Sequence, residues 1–239
     1  MSDIKATIEA IADLLKQLET NLGVDPGFVV RLQFEETSDW AFVIQLQVAL
    51  EAALTHVIVK TLGNEAVFEH VSRASFMGRT GKVELARSLG IIDATGVAIC
   101  DILASIRNGF AHRLEHAGST LKAYSAQLSG DRKFEIVKKL SAVNETELIW
   151  EREKGCPDFD DLLRSRLWLA AASVMCTLGT AEMTAQIQAL ERKVWKQAYD
   201  RETAAAPPLG LEHVIGGLVR NHMMKLSDML PKKSEAGQL

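Results

Sequence analysis

The stretch "DWAFVIQLQVALEAALTHVIVKTLG", residues 39–63, decides the fold. Trp40, Val43, Ile44, Gln47, Leu50, Leu54, Val57 and Ile58 recur at the 3.6-residue period of an α-helix. Phe42, Leu46, Ala49 and Ala53 make much of the remaining surface apolar as well. A helix that is apolar nearly all round has to be surrounded by other elements, so it belongs at the centre of a bundle. Ser38 or Asp39 is placed to cap its start, and Gly63 stands where a glycine ends a helix.

Working outward, the flanking segments keep the same period. Ile4, Ile8, Ile11, Leu15 and Leu18 form one stripe between a cap at Ser2 or Asp3 and a stop at Gly23, and "VDPGF" then turns the chain. Asn64 can cap a short helix to about Val71, "SRASFMGRTGK" interrupts the pattern, and "KVELARSLGII" resumes it up to Gly90. Asp93 is placed to cap a helix from about Ala94 to Glu115. Between Gly118 and Trp150 the chain is more polar and reads as shorter helices, with turn signals at Gly118, at Gly130 with Asp131, and at Asn144. "GCPDFDD" opens a last long helix, about Phe159 to Thr203, with Gly179 as a candidate kink. "AAAPPLG", residues 204–210, is the expected linker, because two prolines end the helix. Leu211, Val214, Ile215, Leu218, Val219, Met223, Leu226 and Met229 then stripe a C-terminal amphipathic helix, 211–230, ahead of a tail, 231–239, expected to be disordered. The fold class is all-α, a helical bundle over residues 1–203 with that helix appended.

Composition narrows the function. With 47% hydrophobic and 24% charged residues the chain can build a sizeable core, and its formal net charge of -4 disfavours direct DNA reading. Cys100, Cys156 and Cys176 are odd in number and lack metal-ligand spacing, so they read as reduced thiols with no zinc site. No metal or cofactor is expected. The N-terminus lacks the pattern of a signal peptide, and the apolar runs are broken by Gln and Glu or are short for a bilayer. A cytoplasmic protein without a membrane partner is the expectation.

The residues with most chemistry close the helix after Asp93, in "ASIRNGFAH", 104–112. Ile99, Ile102, Leu103, Ile106, Phe110 and Leu114 share the buried stripe, with Arg107 at its edge and Asn108 and His112 outside it. Arg107 and His112 are about 140° apart on an ideal helix. A long guanidinium stem, a distortion at Gly109, or a symmetric pair of such helices would bring them together.

This segment resembles the R-x4-H signature of the HEPN superfamily (higher eukaryotes and prokaryotes nucleotide-binding), met as Arg107, Asn108 and His112. More closely, residues 75–112 are similar to the core of the mannitol operon repressor family. They match at Ser75 and Phe76, Lys82, Leu85 and Ala86, Leu89 and Gly90, and Ile106 to His112, with a looser likeness around Glu51 and in "RSRLWLAAASVM". The resemblance covers about residues 38–180. It implies a HEPN-type bundle that pairs as a homodimer with the motif helices near each other.

It also implies two functions. In a metal-independent RNA endonuclease, the RNA 2′-OH is the nucleophile. His112 is then general base or acid, Arg107 stabilises the transition state, and Asn108 orients the phosphate or His112. Many toxins of that superfamily carry a tyrosine two residues past the histidine, where this chain has Leu114. In a non-catalytic regulator the same residues bind or organise a dimer, and the C-terminal helix offers a surface to a protein partner. Glu51, Arg73, Lys82 and Arg113 are the expected neighbours of the ligand or dimer cleft in either reading. A third arrangement is internal: Arg107 pairs with a carboxylate such as Glu51 of the neighbouring helix, Asn108 satisfies a backbone group, and His112 sits at the negative end of its helix. His56 with Lys60 and the carboxylates of "GCPDFDD" read as structural, and His213 and His222 do not share a face.

Overall fold

The computed structural model describes residues 2–34, 38–111, 120–140 and 159–205, and every regular element among them is helical. In chain order these are α1 (Ser2–Asn21), α2 (Phe28–Phe34), α3 (Asp39–Leu62), a 3-10 turn (Glu65–Val67), α4 (Phe68–Arg73), α5 (Lys82–Ser88), α6 (Ala94–Ala111), α7 (Leu121–Ala126), α8 (Gly130–Leu140) and α9 (Phe159–Ala205). The chain divides into two compact units, Met1–Ile187 and Gln188–Leu239. The expected linker from residue 206 onward, the C-terminal helix and the tail lie outside the described residues.

The all-α bundle of the first unit is built round α3. Ser38 Oγ accepts from the Ala41 amide at 3.2 Å, satisfying one of the donors that a helix start leaves over. Gly63 ends the helix in the left-handed region, φ 63°, with its N–H directed to the Val59 and Lys60 carbonyls. Between these caps Phe42, Val43, Leu46, Leu50, Ala53, Leu54, Val57 and Ile58 are fully buried. Their azimuths cover most of the helix because α2, α4, α5 and α6 all pack on it. Trp40 departs from the expected face and is 39% exposed, since it stands at the first turn, beyond most of that cover. By length and composition α3 would suffice to cross a membrane, but most of it is buried within the bundle.

Periodicity alone misses α2, seven residues long and held by tertiary partners. The buried Glu19 carboxylate accepts from the amides of Gly27 and Val29 at its start. From α9, Trp168 Nε1 donates to the Val29 carbonyl at 2.6 Å and Arg164 Nη2 to that of Leu32 at 3.0 Å. Arg164 also bonds Asp39 and lies over the Phe42 ring, so one guanidinium ties α9 to α2 and α3. Along α9, Leu163, Leu167, Ala171, Val174, Met175 and Leu178 enter the core. The helix continues without a break through Gly179, where a Cβ would meet the Leu14 carbonyl at 3.6 Å, so α1 passes close to it there.

Candidate functional site

Asp93 positions the motif helix. Its Oδ1 accepts from the Gly96 amide at 2.8 Å, and α6 then buries Ile99, Ile102, Leu103, Ile106 and Phe110. Arg107 and Asn108 are thereby turned toward solvent, Arg107 partly buried and Asn108 exposed. Arg107 Nη1 donates to Asn108 Oδ1 at 3.1 Å, and among the described residues no carboxylate pairs with this guanidinium. His112 and Arg113 lie outside the described residues.

Glu51 and Lys82 do come together, with each other. Lys82 Nζ lies 2.5 Å from Glu51 Oε1 and 2.9 Å from the Ser72 carbonyl, and Lys82 is 2% exposed. The carboxylate that an internal arrangement would give to Arg107 is therefore engaged by Lys82, in a link that joins α3, α4 and α5. Gly81 makes it reachable, because a Cβ there would stand 2.7 Å from the Met77 backbone. The amides of Lys82 and Val83 close the same turn on the Ser75 and Phe76 carbonyls at 2.8 and 3.1 Å. Arg73 points elsewhere, exposed and 3.4 Å from Glu69 on its own helix.

No protein-family model, curated protein or solved structure matches the chain.

Three groupings beside or beyond the motif are not legible in the sequence. Tyr124 of α7 lies over Gly109 and stacks on Phe110 with ring centroids 5.5 Å apart. Burial pushes its phenol pKa up, with Arg132 opposing. At the start of α9, Asp160 accepts from Lys133 Nζ at 2.8 Å and from Ser125 Oγ, and these bonds hold its carboxyl below the usual range. His56 Nε2 lies 2.8 Å from Glu182 Oε1, which also accepts from Asn21 Nδ2 at 2.7 Å, joining α1, α3 and α9. The partners of His56 and Asn21 on α9 are 126 and 161 residues away, so no local pattern announces them.

A cleft of about 550 Å³ opens at the other end of α6 from Arg107, between Ile92, Asp93 and Thr95 and the Ser173 and Thr177 hydroxyls of α9. Among the described residues no three His, Cys, Asp or Glu side chains gather as metal ligands. Cys100 is buried and Cys176 partly so, both unbridged, while Cys156 lies outside the described residues.

Proposed function

We propose that the chain is a non-catalytic cytoplasmic regulator of the kind that its resemblance to the mannitol operon repressor family implies, acting through protein contacts as a dimer rather than by reading DNA. The observation that carries this reading is the apolar surface left on the first unit. Phe34 is 78% exposed, Leu169 61% and Val48 59%, and Met183 and Ile187 are each about half exposed. Scattered exposed leucines are ordinary; a run of large exposed side chains along one helix, as at Leu169, Met183 and Ile187 of α9, marks an interaction surface. The acidic balance of the chain also suits protein contacts better than a phosphate backbone.

A second reading, the metal-independent RNA endonuclease, is favoured by the Arg107 guanidinium, which has no carboxylate partner among the described residues and whose fork of donors fits a phosphate. In that reaction the 2′-oxygen attacks phosphorus, its proton passes to a base, and the 5′-oxygen leaves with a proton supplied by an acid. The test is incubation of the full chain with a mixed-sequence single-stranded RNA in EDTA, beside sedimentation of the same sample. The expected result is a dimer that leaves the RNA intact. Cleavage to cyclic phosphate ends that disappears in Arg107→Ala, in His112→Ala and on a 2′-deoxy substrate would replace the regulator with the nuclease.

A further inference from the structure

Within the first unit, α9 carries a seven-residue repeat on an exposed face. Leu162, Leu169, Cys176 and Met183 are spaced by seven, and Arg166, Ser173, Thr180 and Ile187 interleave with them at the same spacing. At 100° per residue all eight fall within a band about 100° wide. Leu162 is 42% exposed, Leu169 61%, Met183 50% and Ile187 52%. The sequence continues the register at Leu190 and Val194.

Such a repeat stays in line along a helix only when the helix supercoils round another, because 3.6 residues per turn drifts from a seven-residue period. In a coiled coil these two sets would take the two seam positions, one of them Leu162, Leu169, Cys176 and Met183, the other polar at Arg166, Ser173 and Thr180 and apolar from Ile187 onward. Charge does not oppose a second copy as the partner. In a two-fold contact the same patch meets itself, so like charges on it oppose pairing. Apart from Arg166 near its start, this band is uncharged. Gln33 Nε2 bonds Ser165 Oγ at 2.9 Å, so α2, which carries the exposed Val30 and Phe34, lies alongside this part of α9. Val30, Phe34, Leu162, Leu169, Met183 and Ile187 are each 39% exposed or more, the kind of apolar surface from which an interface of ~800 Å² per partner is built.

We propose that this face is where two copies of the chain meet, α9 against α9 of the second copy. The proposal deepens the dimeric part of the reading above and rests on it.

The test is sedimentation equilibrium of the full chain over a range of concentrations, with helicity followed by circular dichroism. The wild type is expected to be a dimer. Met183→Glu with Ile187→Glu places two charges in the seam and weakens it by about 100-fold or more. The neutral pair Leu169→Gln with Met183→Gln has the same direction of effect and decides the matter if the charged pair loses helicity. Arg107→Glu, on the motif helix that the resemblance would place at the dimer contact, discriminates that surface from the α9 face. A monomeric wild type overturns both this proposal and the dimeric part of the functional reading. A dimer that survives both α9 pairs, or that Arg107→Glu dissociates while they do not, overturns the α9 interface alone.

Discussion

The ring of Tyr124 lies over the backbone of Gly109, its Cε2 3.0 Å from the place a Cβ would occupy. The glycine in "IRNGFAH" thus makes room for an aromatic ring from α7. Alanine in a helix interior is favoured over glycine by about 1 kcal/mol, and here the close contact opposes that gain. Gly109→Ala alone is therefore expected to change stability by less than about 0.5 kcal/mol, and in a Tyr124→Ala background to raise it by about 1 kcal/mol. Urea denaturation of the four proteins in this cycle measures the coupling. Equal effects in the two backgrounds would show that the ring does not constrain Gly109.

The Lys82 and Glu51 pair predicts an asymmetry. The Lys82 side chain is 3% exposed and that of Glu51 33%, so removing either partner strands a different charge. Glu51→Ala leaves a buried ammonium with the Ser72 carbonyl as its remaining partner and is expected to destabilise by about 3 kcal/mol. Lys82→Met leaves a carboxylate that water can reach and puts an apolar side chain in the buried position, for a loss of about 1 kcal/mol. Denaturant midpoints at equal slope decide it; equal losses would mean that the pair is more open to water than its burial indicates.

Where the sequence was informative, local physics was sufficient. Ser38, Gly63, Asn64 and Asp93 act at helix ends through their own side chains or backbone, so their roles can be read from neighbouring residues. The apolar stripe of α6 followed from its period. By contrast, α2 is too short to hold itself and depends on Glu19, Arg164 and Trp168 from distant elements. The engagement of Glu51 by Lys82, which leaves it unavailable to Arg107, depends on how α5 crosses α3, and no spacing encodes that. Arg107 at the edge of the stripe and Asn108 outside it could be placed in advance, whereas Tyr124, an aromatic in a polar stretch, carries no signal that it will meet Gly109.

The cluster at the start of α9 predicts an acid response. Lys133 first, and then Ser125, hold the Asp160 carboxyl below the ordinary carboxylate range. A carboxylate whose native pKa is depressed stabilises the fold above its unfolded value, about 4, and that contribution is lost as the pH falls through the native value. The unfolded chain takes up the proton first, so stability declines with acid. Asp160→Asn removes this dependence, and its stability profile below about pH 4 is expected to be flatter than that of the wild type. With the side chain one-third exposed the difference is modest. Parallel profiles, from denaturation at stepped pH, would show that Asp160 gains nothing on folding.

The cysteines report separately on the core and on the face of α9. Burial, with Asp101 adding to it, pushes the Cys100 thiol up to about 12, and burial alone raises Cys176. The thiolate is the reactive form, so both resist a disulfide reagent near pH 8. They differ in access: Cys100 is fully buried, and Cys176 is partly exposed within the α9 band. In a Cys156→Ser background, Cys176 is expected to be labelled slowly and Cys100 only as fast as the bundle opens, with both reacting at once in urea. Mass spectrometry of the labelled peptides assigns the two rates. If α9 pairs with a second copy, dilution speeds the labelling of Cys176 and leaves Cys100 unchanged, since only the first depends on the interface. A Cys100 rate equal to that of Cys176 in the native protein would mean that α6 opens to solvent far more readily than its packing against α3 and α8 implies.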